Sequence, residues 1–198
     1  MKPYFILLLF SNILFSQELP KVSSGTIERI ENFKSKFVTK RNIDVWLPSD
    51  YTKKKKYAVL YMHDGQMLYD ANQTWNKQAW EVDDVMAKLI KEHSIHDVIV
   101  VGIWNGGETR HFDYFPQKPF EMLTKKQQDS IYNLERSAGV KLFNGKVSSD
   151  NYLKFIVKEL KPIIDKKYAV HKDMEHTFIA GSSMGGLISM YAICEYPE

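Results

Sequence analysis

The chain has almost no cysteine. Cys194 stands alone among 198 residues, so no intramolecular disulfide can staple the fold and a cysteine-built metal centre is excluded. It also lacks a dominant charge. Its 27 basic and 24 acidic side chains give a net +3, and loss of Lys2 with a leader would leave 26 against 24, or +2. So near a balance, the chain carries no electrostatic footprint of a nucleic-acid binder or of a protein held on anionic membrane. The one basic block, Lys53 to Lys56, follows Asp50-Tyr51-Thr52 and precedes an apolar segment, so it reads as a solvated turn. No internal repeat or low-complexity linker breaks the chain. A hydrophobic content of 44% places it among globular proteins.

Long apolar runs are missing too, except at the start. Lys2 is followed by an unbroken apolar run from Tyr4 to Phe10, and Leu14-Phe15-Ser16 offers a small residue before Gln17. That is the pattern of a secretory signal peptide. Ser11 and Asn12 interrupt the run, and a spanning helix needs about 20 predominantly apolar residues. Residues 1–16 are therefore expected to be a removed leader and 17–198 one domain. No cysteine near the cleavage point could carry a lipid, so the mature protein is expected to be secreted or periplasmic with no stable membrane association. Cys194 falls in an apolar helical pattern and is expected to be a packed thiol.

Along the rest of the chain, extended and helical signals alternate. Thr26 to Phe33 and Phe37 to Leu47 are rich in β-formers; in the second, Ile43, Val45 and Leu47 alternate with Asn42 and Asp44, which predicts one buried and one open face before Pro48 ends the strand. Tyr57 to Met62 and Asp97 to Ile103 are continuous apolar runs, as in strands covered on both faces. Between Glu81 and Glu92, the residues Val82, Val85, Met86, Leu89 and Ile90 keep helical spacing. The aromatic and charged stretch from Glu108 to Ser149 predicts loops with short helices. After Asp150, a candidate N-cap, the apolar residues from Tyr152 to Ile164 resume helical spacing, with Pro162 predicting a kink. His176 to Ala180 reads as a strand, Gly181 to Gly185 as a tight turn and Leu187 to Tyr196 as a helix. Strands alternating with helices imply a mostly parallel sheet with helices on its faces.

The chemistry concentrates in Gly181-Ser182-Ser183-Met184-Gly185, a G-x-S-x-G pattern centred on Ser183. A serine nucleophile on a strained strand-to-helix turn needs neighbours without Cβ atoms, which glycine supplies. The apolar strand before it and the helix after it are the context this motif requires. Attack on an ester develops negative charge on the carbonyl oxygen, which prearranged N–H groups stabilise. The Met184 N–H, directly after the nucleophile, is the first candidate donor. The second falls in His63-Asp64-Gly65-Gln66, where Gly65 would permit a sharp turn and Gln66 would donate; His63 is expected to shape that loop. Trp104, Asn105 and Arg110 follow a parallel strand at its ligand-binding end and are candidate substrate contacts. His93 and His96 have no third ligand in view, so no metal site is expected, and no cofactor.

Four segments together resemble an esterase family that includes esterase D, enterochelin esterase, feruloyl and acetylxylan esterases, and the mycobacterial mycolyltransferases. They are Arg41 to Tyr51 (RNIDVWLPSDY), Tyr57 to Asp70 (YAVLYMHDGQMLYD), Ile99 to Arg110 (IVVGIWNGGETR) and Phe178 to Tyr191 (FIAGSSMGGLISMY). The resemblance implies an α/β-hydrolase fold and acyl transfer from an ester through a covalent intermediate on Ser183. It also implies an oxyanion site at Gln66 and Met184, with water as the usual acceptor. Polysaccharide acyl esters and siderophore esters are the substrate classes it suggests.

That mechanism needs a histidine and a carboxylate, which in this fold follow the serine along the chain. Only 15 residues (198 − 183) come after Ser183, none of them histidine, and Glu195 and Glu198 come too soon. Base and acid are thus expected beyond residue 198, with the sheet's C-terminal strands. His171 and His176 precede the nucleophile strand and are not expected to serve. Two other functions fit the same residues: a binding protein that kept the fold and lost the triad, and an acyltransferase that hands the acyl group to an alcohol.

Overall fold

The computed structural model describes residues 18–198; the expected leader lies outside them. In chain order the elements are β1 (Thr26–Phe33), β2 (Arg41–Leu47), β3 (Ala58–His63), α1 (Val82–Lys91), β4 (Val98–Ile103), α2 (Arg110–Tyr114), α3 (Gln117–Glu121), α4 (Lys125–Tyr132), β5 (Glu135–Ser137), β6 (Val140–Lys141), α5 (Ser149–Lys154), α6 (Lys161–Lys167), β7 (Thr177–Ala180) and α7 (Met184–Glu195). Five strands form one sheet in the order β1-β2-β4-β3-β7.

The sheet is mixed. β4, β3 and β7 run parallel, while β1 pairs with β2 and β2 with β4 antiparallel. The parallel half is the part whose apolar runs are continuous, and the reason is visible in the packing: helices cover it on both sides. On one face Ile99 and Val101 of β4 meet Tyr152, Phe155, Leu160 and Ile188 from the helices that follow. On the other, Val100 and Trp46 pack with Leu68 and Val82, with Met86 and Ile90 of α1 against them. Alternation along each strand thus feeds two apolar layers, the arrangement of an α/β-hydrolase fold.

Three local expectations need correction. β2 is buried on both faces: Asp44, expected at a solvated face, is fully buried, its carboxylate held by Arg29 at 2.7 and 2.8 Å and by the Trp104 indole N–H at 2.8 Å. Burial of that charge is tolerated because it is paired and fully hydrogen-bonded. The helix after residue 148 has Ser148, not Asp150, at its N-cap. Asp150 sits in the first turn, where a negative charge suits the helix dipole, and accepts the Tyr191 hydroxyl at 2.6 Å. Cys194 is exposed, as are Met190 and Ile193, because among the described residues nothing packs over the outer side of α7.

Pro162 leaves its mark as a change of helical register. Phe155–Leu160 is wound as a π-helix between α5 and α6, which accommodates the N–H that proline cannot donate. The stretch from Glu108 to Ser149 holds the expected short helices and, in addition, the exposed β5–β6 hairpin around Gly139 (φ 75°). No helix among the described residues is long and apolar enough to cross a membrane.

Candidate active site

Ser183 lies between β7 and α7, at the position immediately before the helix, with φ 54° and ψ −116°. A non-glycine residue held at such a backbone costs of order 1–3 kcal/mol and persists only where its surroundings enforce it. Gly181 enforces it from one side. A Cβ there would stand 2.7 and 2.8 Å from the Gly185 carbonyl carbon and Cα, so the chain entering the turn and the helix leaving it touch backbone to backbone. Gly185 differs from the expectation: a Cβ on it would meet the His63 Cβ at 3.5 Å, an ordinary contact. Of the two flanking glycines, the first is the one that sterics demand. Met184 opens α7, so its N–H is among the first-turn donors without an intrahelical acceptor.

The β3 end of the site is built around Asp64. This residue, not Gly65, supplies the left-handed turn (φ 58°, ψ 44°). Gly65 is needed for a different reason: a Cβ on it would lie 2.5 Å from the Gly102 carbonyl carbon of β4, so only glycine lets the loop sit against the next strand. Asp64 is buried, and its two carboxylate oxygens take both arms of Arg110, Nε at 2.7 Å and NH2 at 2.8 Å, while Asn105 Nδ2 donates at 2.7 Å. The Tyr114 hydroxyl accepts the Asp64 N–H at 3.3 Å. The hydrogen bonds to Asp64 hold the Arg110 guanidinium above its usual pKa. Asn105 N–H donates to the Gln66 side chain at 3.2 Å, tying the β4 loop to the residue whose main chain was singled out as a donor. α2, which carries Arg110, is itself anchored to β2 by the buried pair Arg41–Asp113 at 3.0 Å.

His63 makes no hydrogen bond to Ser183 among the described residues. It is fully buried, its Nδ1 lies 2.8 Å from the Tyr152 hydroxyl, and Tyr114 and Tyr152 flank the ring. Burial pushes its pKa down to about 4, so it is neutral at pH 7. Its Nε2 is buried without a partner among the described residues. His171 and His176 lie before β7, at the strand end away from Ser183.

A cavity of about 710 Å³ opens at the C-terminal ends of β3, β4 and β7, and Ser183, Gln66, Asn105, Arg110, His111 and Trp75 are among its lining residues. This is the side on which ligands of open α/β sheets bind. Four of the six residues singled out from sequence line it, Ser183, Gln66, Asn105 and Arg110; Met184 adjoins Ser183 at the start of α7, and Trp104 does not reach it. The Trp104 indole turns instead to Asp44, with the Arg29 guanidinium 4.8 Å from its ring centre. Asn105 and Arg110 have their polar groups engaged by Asp64, so they build the wall of the cavity. Sequence reasoning missed Asp64, Trp75 and His111. Only Asp64 carried a signal, since it stands between an apolar strand end and a glycine. A larger cavity, about 1120 Å³, lies at the opposite strand ends beside His93, His96 and Asp97 and contains none of the residues singled out for catalysis.

Residues 35–198 match the model of a family described as "Putative esterase". The chain belongs to this esterase family. Among curated proteins it is 25% identical over 159 residues to the uncharacterized protein YbbA of Bacillus subtilis, covering 80% of this chain and 52% of that one. It is also 25% identical over 188 residues to an endo-1,4-beta-xylanase/feruloyl esterase of Xylanibacter ruminicola, covering 89% of this chain and 21% of that protein. Among solved structures, a CE1 ferulic acid esterase from Anaeromyces mucronatus superposes with a TM-score of 0.56 at 21% identity, covering 89% of this chain and 56% of that one. The chain thus spans about half the length of YbbA and of that esterase. The structural likeness shares the α/β-hydrolase fold.

Proposed function

We propose that this family member is a carboxylic ester hydrolase that works through an acyl-enzyme on Ser183. The observation that carries the reading is the backbone of Ser183, strained at φ 54° between β7 and α7 and open to the same cavity as Gln66. In the proposed step the Ser183 Oγ attacks the ester carbonyl carbon and its proton passes to a histidine base. The carbonyl oxygen, now negative, is held by the Met184 and Gln66 N–H groups. Collapse of the intermediate expels the alcohol, which takes the proton back, and water then releases the acid by the same route in reverse.

The base and its carboxylate are proposed to follow Ser183 in the order serine, acid, histidine that this fold uses. His63 is bonded to Tyr152, and His111 packs edge-on to Phe143. Aromatic acyl esters of polysaccharides are the favoured substrates, because Trp75 and Trp80 line the cavity that also holds Ser183 and because feruloyl esterases stand among the similar proteins. Secretion or periplasmic residence, suggested by the apolar N-terminus, agrees with such substrates.

The test is covalent labelling by a fluorophosphonate, which captures activated serines. The protein carrying the segment that supplies the histidine and acid should gain one adduct, mapped to Ser183, and its Ser183→Ala variant should gain none. Equal labelling of both would refute the assignment.

A further inference from the structure

The loop that leads into β7 carries a cluster that the candidate active site does not use. His171 and His176 stack their imidazoles with ring centres 4.0 Å apart and planes inclined by 18°. Asp173 lies beside both rings: its Oδ1 is 2.5 Å from the His176 Nδ1 and its Oδ2 is 3.9 Å from the His171 Nδ1. One ligand atom from each of the three lies within 4.8 Å of the others. Side-chain exposures of 35, 45 and 38% leave the group open to solvent.

The loop is held at both ends. The His171 N–H donates to the Tyr57 carbonyl at 3.0 Å, at the start of the β3 side, and the Thr177 hydroxyl donates back to the Asp173 carbonyl at 2.8 Å. The turn Met174–His176 then runs directly into β7. The spacing H-x-D-x-x-H is therefore preorganised by the backbone.

We propose that His171, Asp173 and His176 bind a zinc-class divalent ion. Two imidazole nitrogens with one carboxylate oxygen suit zinc and its first-row neighbours and not magnesium or calcium, which prefer all-oxygen sets. Around a zinc ion with bonds of about 2.1 Å, tetrahedral ligand atoms stand about 3.4 Å apart. The ligand atoms now lie within 4.8 Å of one another, so binding would open the 2.5 Å His176–Asp173 contact and draw in the wider pairs, with water as the remaining ligand. The ion would sit at the end of β7 away from Ser183, so its role is to pin the loop and the strand that presents the nucleophile.

The test uses chelator-treated protein, zinc chloride and unfolding temperature, a readout independent of ester cleavage. At a hundredfold excess over Kd, zinc should raise the midpoint by about 5–10 °C and magnesium should not. His176→Gln and Asp173→Asn should each weaken zinc binding at least tenfold, while a His93→Gln/His96→Gln double variant should bind as the parent does. Cobalt(II), titrated into the unaltered protein, should give the visible absorption of a four-coordinate site, which decides the matter even if a variant folds poorly. Zinc affinity unchanged by His176→Gln and Asp173→Asn, or no zinc-dependent shift together with no cobalt spectrum, would overturn the proposal.

Discussion

Arg110 clamps both carboxylate oxygens of Asp64, at 2.7 and 2.8 Å, across 46 residues of sequence. The pair joins the left-handed turn after β3 to the helix after β4, and Asn105 completes the junction. Its consequence is positional: Gln66, two residues beyond Asp64, is held by the same turn.

Arg110→Ala should therefore cost both stability and turnover. Removing one partner strands the buried Asp64 carboxylate; a fully buried pair loses about 3–5 kcal/mol in this way, and the partial exposure of Arg110 places this case nearer 2. Displacing Gln66, the proposed oxyanion donor, by even about 1 Å can lower turnover some hundredfold. Arg110→Lys keeps the charge without the fork and should fall between the two. Urea unfolding and ester kinetics on the two variants check the ordering. Equal kcat in all three proteins would show that the clamp does not position the site.

The two glycines around Ser183 should respond differently. Gly181→Ala places a Cβ 2.7 Å from backbone and should destabilise by about 1–3 kcal/mol while abolishing fluorophosphonate labelling. Gly185→Ala meets only an ordinary contact inside a helix, where alanine is favoured by up to about 1 kcal/mol. Denaturation midpoints and labelling rates of the two variants separate them, and matching losses would contradict the steric account.

How much of this was legible in the sequence follows from the range of each interaction. Continuous apolar runs gave β3 and β4 to within a residue, since burial on both faces is written into every position of such a strand. Ser183 was legible because its glycines and its helix are neighbours in sequence. Asp44 and Asp64 were not, because each buried carboxylate is explained by a cation or an indole 15 to 60 residues away. Alternation therefore assigned Asp44 to a solvated face, and Gly65 took the role in the turn that Asp64 fills. The β5–β6 hairpin escaped for the opposite reason: its residues are exposed, so no burial pattern marks them. The exposed Cys194 shows the limit of periodicity, which reports that α7 is apolar but not which of its sides is covered.

Trp75 should set preference among esters. It is 82% exposed and lines the cavity that holds Ser183, where its ring is free to meet substrate. An aromatic pair adds about 0.5–1.5 kcal/mol, so Trp75→Ala should raise KM for methyl ferulate roughly threefold to tenfold and leave p-nitrophenyl acetate nearly unchanged. A parallel change for both esters would remove the aromatic substrate class.

His63 predicts an acid-sensitive fold. Burial holds its folded pKa at about 4, while in the unfolded chain imidazole titrates near 6.5. The unfolded state thus binds more protons between those values, so the stability contributed by neutral His63 is fully present above about pH 6.5 and is lost as pH falls toward 4. Between pH 7.5 and pH 5 the loss amounts to about 2 kcal/mol. Burial is the main cause of the low value; the Asp64 carboxylate offsets it only in part, and the Arg110 charge adds to it. Urea unfolding at the two pH values should show the drop in the parent, and His63→Gln, less stable at neutral pH, should show a flatter profile. A parent profile as flat as that of the variant would mean that His63 charges without penalty, and its burial beside the Ser183 turn would be wrong.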